Sequence, residues 1–235
     1  SMHYPETREV IEKSRQRLAF DELLSFQLLI NQRKEQKAKV IKNHSFAEPG
    51  EILRQFKSKL SFSFTPGQVK SVSEIFKDLK SPHPMNRLLQ GDVGCGKTVV
   101  AIAAAVYVAE NKLQAAFMAP TEILAEQHFR NWHDVLGSLG IKSAVLTSAT
   151  KGKDKTGIIR QCASGEISLV IGTHALLNES IEFAKLGLVI IDEQHRFGVE
   201  QRGKLYTKGD NPDLLVMTAT PIPRTLALTL YGDLE

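Results

Sequence analysis

The sequence predicts an α/β protein: a doubly wound parallel sheet preceded by an α-helical linker. Three observations carry that expectation. From about Glu51 onward, short apolar runs alternate with helical segments; the first fifty residues lack this alternation; and a glycine-rich turn follows the first apolar run. Continuous apolar strands separated by helices mark parallel strands covered on both faces by crossover helices. At 235 residues, with 42% apolar and 24% charged side chains, the chain has the composition of a globular protein, which excludes a wholly disordered chain or a fibre. Its length suits one large domain, or one domain with an appendage.

The amino-terminal part comes first. Ser1-Met2 reads as the scar of a removed tag, so that the chain is expected to be a piece of something longer. From Pro5 to Asn43 there is no glycine, and Leu18, Phe20, Leu23, Leu24, Phe26, Leu28, Leu29 and Ile30 recur among charged residues. One or two amphipathic helices with an apolar stripe are expected there. His44 to Gly50, ending in Pro49-Gly50, reads as a connector, which divides the chain into a helical linker (1–50) and a sheet domain (51–235). Residues 1–60 carry 12 basic and 8 acidic side chains, while the rest carries 18 of each, so the whole net charge of +4 sits in the first quarter. Arg33, Lys34, Lys37, Lys39 and Lys42 form its densest part, either a solvated helix face or a track for phosphates.

The strand candidates are Arg87–Gln90, Gln114–Ala119, Ser143–Leu146, Ser168–Gly172, Leu186–Ile191 and Leu214–Met217. Between them fall the helical candidates Thr98–Asn111, Glu122–Leu136, Lys155–Ser164 and Gln201–Lys204. The longest apolar run, Val99–Ala109, is far short of the ~20 residues that cross a bilayer. The cysteines, Cys95 and Cys162, lie apart and in no metal-ligand spacing, against a disulfide framework or structural zinc. No signal peptide is recognisable, and a reducing, cytoplasmic setting is expected. In doubly wound sheets ligands sit outside the carboxyl ends of the strands, so chemistry is to be sought after each run.

After the first run comes Gly91-Asp92-Val93-Gly94-Cys95-Gly96-Lys97-Thr98, which fits G-x-x-x-x-G-K-[ST]. A phosphate chain needs several converging backbone N–H groups, and glycines let the backbone wrap that tightly. The helix that follows points its positive end at the same anion. Lys97 is placed to reach the outer phosphates and the Thr98 hydroxyl to ligate Mg²⁺, the pattern of a nucleoside-triphosphate site. The most apolar strand ends in Asp192-Glu193-Gln194-His195. Asp192 at that point can hold Mg²⁺, and Glu193 can orient or deprotonate an attacking water. His195 in isolation is either structural or catalytic. Thr218 and Thr220 close the last strand, where their hydroxyls can bond His195 and pass on the state of the nucleotide.

Together Gly91–Thr98, Asp192–His195 and Thr218–Arg224 are similar to motifs I, II and III of the superfamily 2 helicases. The longer runs Asp192–Arg202 and Thr218–Leu228 closely resemble the RecG family of branched-DNA helicases, and the resemblance spans essentially the whole chain. It implies a RecA-like P-loop NTPase domain that uses ATP and Mg²⁺, with Lys97, Asp192, Glu193 and His195 as catalytic residues. It implies that Gln68 reads adenine, with Phe62 or Phe64 near the base, and that Pro120, Thr121, Thr173 and His174 lie along DNA. Lys151, Lys153 and Lys155 read either as a DNA-touching loop or as a solvated one, and Trp132 as core. The implied partners are branched DNA, a second motor domain and a wedge domain of the same longer chain, and no membrane. This segment alone is then expected to bind ATP but to hydrolyse it weakly, since arginines of a second motor domain normally complete such a site. A transcription–repair coupling translocase, a nucleotide switch without mechanical work and, more remotely, a small-molecule kinase remain the alternatives.

Overall fold

Six parallel strands are laid down in the order β1-β6-β5-β2-β4-β3. They are β1 (Asn86–Gln90), β2 (Gln114–Met118), β3 (Ser143–Leu146), β4 (Leu169–Gly172), β5 (Leu186–Asp192) and β6 (Asp213–Thr218). The computed structural model describes residues 7–38, 40–178, 180–192 and 208–219. Each predicted strand is present with its ends moved by no more than one residue. The helices are α1 (Arg8–Ala38), α2 (Glu51–Lys59), α3 (Pro66–Leu79), α4 (Lys97–Glu110), α5 (Glu122–Gly137) and α6 (Gly152–Ala163). A short 3₁₀ turn, His174–Leu177, follows β4. The candidate Gln201–Lys204 lies outside the described residues. Among the described residues no helix is long and apolar enough to cross a membrane.

The chain divides into two compact units, one holding residues 1–39 and the other residues 40–221. In the first, α1 is one unbroken helix of 31 residues. Its apolar residues do not form the expected stripe. At about 100° per residue, Leu18, Phe20, Leu23, Leu24, Phe26, Leu28 and Leu29 are spread round the whole helix axis, and all but the half-buried Phe26 are exposed. Phe20, Leu23, Leu24 and Leu28 keep a helical spacing, but Leu18, Phe26 and Leu29 fall on the other sides and break the stripe.

In the second unit, α4 explains its own composition. Every residue from Val99 to Val108 is buried, because β2 and β5 cover one side while α2 and α3 pack on the other. A helix enclosed all round is apolar all round. Tyr107 is its largest buried side chain: its ring stacks on Phe46 at 5.4 Å and lies against Phe76 at 4.4 Å. Trp132, half-buried, packs on Phe56 at 5.9 Å. The α2 and α3 helices were not foreseen, and both begin on unusual caps. Gly50 offers no side chain to cap α2, so the Glu110 carboxylate from the end of α4 accepts the N–H groups of Gly50 and Ile52 at 2.9 and 2.7 Å. A Cβ on Gly50 would sit 2.7 Å from that carboxylate, which accounts for glycine there. Thr65 and Gln68 form a reciprocal capping box at the start of α3.

Residues 40–50 pack within the sheet unit, so the compact division falls eleven residues before the expected one. Their anchor is Lys42. The sequence placed this lysine in an exposed basic cluster, but its side chain is 1% exposed. Its ammonium donates to both oxygens of Asp213 at 3.0 Å and to Leu79 O at 2.6 Å. Asp213, wholly buried at the amino end of β6, also accepts the Met85 N–H at 2.6 Å and meets His44 Nε2 at 3.1 Å. Desolvation lowers the Lys42 pKa, and the Asp213 charge opposes that shift. Removing one partner from such a pair strands the other charge in the interior, at about 3–5 kcal/mol. Asp213→Ala is therefore expected to destabilise the sheet unit by about that amount in urea titrations, and Lys42→Met by a comparable loss.

Burial, helped by Glu48 and Glu110, pushes the Tyr107 hydroxyl up to about 12 from 10. The folded chain thus keeps this proton through a range where the unfolded chain releases it, so stability falls as pH rises from about 10 to 12. The Tyr107 hydroxyl donates to Ala47 O. Tyr107→Phe is expected to cost about 1 kcal/mol at neutral pH and to flatten the alkaline decline; an unchanged decline contradicts the assignment.

Candidate nucleotide and nucleic-acid site

The turn after β1 is held by its glycines. Gly94 and Gly96 have φ of +80° and +85°, the left-handed region that side-chain-bearing residues avoid. Gly96 caps α4 from that conformation. A Cβ on Gly96 would stand 2.3 Å from Gln68 Nε2, and one on Gly91 would stand 2.7 Å from Cys95 Sγ. The turn itself therefore demands glycine at 94 and 96, while at 91 and 96 a Cβ would in addition displace the side-chain ends of Cys95 and Gln68. Lys97, first residue of α4, folds its ammonium back on the loop and donates to the carbonyls of Gly91 and Asp92 at 2.7 and 2.9 Å. Thr98 follows in the first turn, half-buried, while Asp92, Val93 and Cys95 are exposed. Neither cysteine is in a disulfide; burial pushes the Cys162 thiol up to about 11.

Gln68 lies against this loop. Its amide nitrogen donates to Cys95 O at 2.8 Å, and its amide oxygen accepts the Thr65 N–H at 2.9 Å. The side chain expected to read a base is therefore oriented by α3's cap and by the phosphate loop together. One amide hydrogen and one oxygen lone pair of its full set remain beyond these two bonds. Phe62 is exposed and Phe64 packs on the core.

The acidic strand end reaches the same edge. β6 pairs with β1 on one side and β5 on the other, in registers that set Gln90 beside Thr218 and Asp192 beside Met217. Parallel strands lie about 4.8 Å apart, so the last residues of β1 and β5 stand about 10 Å apart at one level. Thr218, fully buried, closes the strand between them, and its carbonyl accepts the Gly91 N–H at 3.3 Å. Thr98 hydroxyl and Asp192 carboxylate are hard oxygen donors of the type Mg²⁺ takes. Among the described residues no group of three or more His, Cys, Asp or Glu could cage a metal. Glu193, Gln194, His195 and Thr220 lie outside the described residues.

The predicted DNA residues occupy the other half of that edge. Pro120 and Thr121 follow β2, and Thr173 and His174 follow β4, its direct neighbour, with Met118 beside Gly172. The Ala119 N–H donates to Gly172 O at 2.8 Å and binds the two turns together. Thr121 caps α5 by accepting the Leu124 N–H. Thr173 is buried, whereas His174 is exposed. Gly172 has a packing reason: a Cβ there would lie 2.2 Å from Leu146 O. Glu122 accepts the Ser148 N–H at 2.9 Å and ties the turn after β3 to the same edge. Lys153 and Lys155 are in the first turn of α6, with Lys151 as its cap residue, rather than on a free loop.

One contact was not foreseen. His128 of α5 faces Asp192, with Nε2 3.4 Å from Oδ2. The available signal was helical spacing, since His128 stands seven residues, two turns, after the cap residue Thr121 and so shares its side of α5.

Comparison with known proteins follows this geometry. Residues 65–229 match the DEAD/DEAH box helicase family. The ATP-dependent DNA helicase RecG of Synechocystis is 48% identical over 234 residues, which is 100% of this chain and 28% of that protein. The RecG of Bacillus subtilis is 46% identical over 235 residues, 100% of this chain and 34% of that protein. A solved RecG bound to a three-way DNA junction superposes with a TM-score of 0.82 at 45% identity, over 99% of this chain and 31% of that one. The chain thus spans about a third of the length of the relatives it matches. A strand–turn–helix phosphate loop and a strand-end carboxylate on either side of one shared strand, on a sequence matched along most of its length, give the conclusion that this chain belongs to the DEAD/DEAH box helicase family.

Proposed function

We propose that this chain is the ATP-binding motor domain of an ATP-dependent DNA helicase that remodels branched DNA, with α1 as a helical linker ahead of it. The observation that carries the reading is the placement of the glycine loop and Asp192 on either side of β6 at the carboxyl edge. The whole-chain similarity to RecG helicases, one of them solved on a three-way junction, supports the substrate class.

In this reading the backbone N–H groups from Gly91 to Thr98 bind the phosphates of ATP. Lys97 exchanges its bonds to the Gly91 and Asp92 carbonyls for phosphate oxygens, a move within reach of its flexible stem. Thr98 and Asp192 hold magnesium, which offsets the charge of the phosphates when bound. Glu193 takes a proton from the attacking water, and His195 bonds toward Thr218 and Thr220. Gln68, already oriented by Cys95 O, presents its remaining amide groups to adenine. Pro120, Thr121, Thr173 and His174 follow the DNA backbone along the β2–β4 half of the edge, where helix starts and exposed N–H groups favour phosphate. One sheet edge then bears both ligands, so a change at the nucleotide is one or two strands from the DNA.

Two measurements check this. Cys95 is exposed inside the phosphate loop while Cys162 is buried, so a thiol reagent is expected to modify Cys95 alone in the folded chain, and Mg-ATP to slow that reaction. In the full-length protein, Lys97→Ala and Glu193→Gln are each expected to lower fork-stimulated ATP turnover by about 10²–10³-fold. ATP binding without any stimulation by forked DNA would instead identify a nucleotide switch, and stimulation by linear duplex equal to that by forks would favour a duplex translocase.

A further inference from the structure

The contact between His128 and Asp192 joins the two halves of the edge. Both side chains are largely buried, at 12% and 14% exposure. The His128 ring lies on Phe117 at a centroid distance of 5.0 Å and an angle of 51°, and Phe117 is fully buried on β2 beside Ile190 of β5. The ring plane is therefore set by packing, not by the carboxylate alone. Against an ionised carboxylate, Nε2 must carry the proton and donate it. The approach is also directional: β6 and the phosphate loop flank β5 on one side, and β2 with Phe117 flanks it on the other. His128, packed on Phe117 of β2, thus takes Asp192 Oδ2 from the β2 side and leaves Oδ1 for another ligand.

We propose that His128 is a positioning residue, which by donating to Asp192 Oδ2 fixes the carboxylate for magnesium and links it, through helix α5, to the DNA residues Pro120 and Thr121. This rests on the reading of the edge as a shared nucleotide and DNA site. α5 is a single helix that starts at the Thr121 cap and reaches His128 after two turns, about 10 Å. Any tilt of α5 imposed at Thr121 moves the Nε2–H that holds Asp192. Hydrogen-bond partners of metal-ligating carboxylates are typically worth 10–100-fold in metal affinity. Linkage requires the effect to run both ways: DNA at Thr121 alters metal affinity, and metal alters DNA affinity.

The test uses the full-length protein with ADP and Mn²⁺, whose electron paramagnetic resonance signal reports binding without turnover. Asp192→Ala is the control for the underlying reading, and wild-type protein that fails to bind Mn²⁺ with ADP overturns that reading itself. His128→Leu keeps an apolar ring-sized contact with Phe117 but removes the donor. It is expected to weaken Mn²⁺ binding about 10–100-fold, to leave metal-free binding of ADP in EDTA unchanged, and to abolish the effect of forked DNA on Mn²⁺ affinity. His128→Gln places an N–H near the same spot and is expected to recover most of the affinity. If Asp192→Ala loses Mn²⁺ while His128→Leu binds it like wild type, the positioning role is wrong although the site stands. Loss of metal-free ADP binding in His128→Leu, without recovery in His128→Gln, would reduce the residue to a packing role and equally overturn the proposal.

Discussion

The arrangement depends on the insertion of β6 between β1 and β5. Had β1 and β5 been adjacent, the glycine loop and Asp192 would crowd within one strand spacing. Two intervening strands would carry them beyond the reach of one hydrated ion. With β6 between them the gap is about 10 Å, enough for phosphates and a metal. The Gly91 N–H to Thr218 O bond then fixes the start of the loop to the strand that separates it from the carboxylate. Parallel pairing throughout keeps every carboxyl end on one edge, so the sites after β1, β2, β4 and β5 face the same side of the sheet.

The same strand is fastened at its other end by charge. Asp213 opens β6, and Lys42, His44 and the Met85 N–H converge on it. A buried pair of this kind gives little net stability over an apolar substitute, yet breaking it is costly. Its effect is to fix where residues 40–50 lie against the sheet. Strand β6 thus runs from an ion pair at its amino end to Thr218, between the glycine loop and Asp192, at the carboxyl edge. Glu110, capping α2, and Tyr107, bonded to Ala47 O, fasten the same residues to α4.

Much of this was legible in the sequence. Strands covered on both faces are apolar along their length, as β2, β4, β5 and β6 are, while the edge strand β1 is half-buried and showed only through Leu88-Leu89. The glycine loop and the acidic strand end carry residue types that phosphate binding requires, and parallel topology puts both on the carboxyl edge, but the strand order that leaves only β6 between them is written in no local pattern. The α2 helix was not legible because its cap is remote, Gly50 being capped by Glu110, sixty residues on. The α3 helix was legible but unrecognised, since Thr65-Pro66-Gly67-Gln68 is a local capping box with proline at the first helical position. Lys42 was misplaced since no local pattern distinguishes a lysine bound for Asp213 from its solvated neighbours. The α1 stripe failed for the opposite reason, as frequent apolar residues resembled a periodicity that the helical angles do not sustain. His128 was invisible until the fold brought its side chain to the end of β5.

The central claim is that the loop at Gly91–Thr98 and the carboxylate of Asp192 serve one magnesium-bound nucleotide. A crystal structure with Mg²⁺ and a non-hydrolysable ATP analogue tests it most directly. Outer phosphates are expected on Lys97 Nζ, with a metal bound by Thr98 Oγ1 and by Asp192 directly or through one water. A nucleotide seated elsewhere, or a metal whose ligands and first waters leave Asp192 untouched, would contradict it.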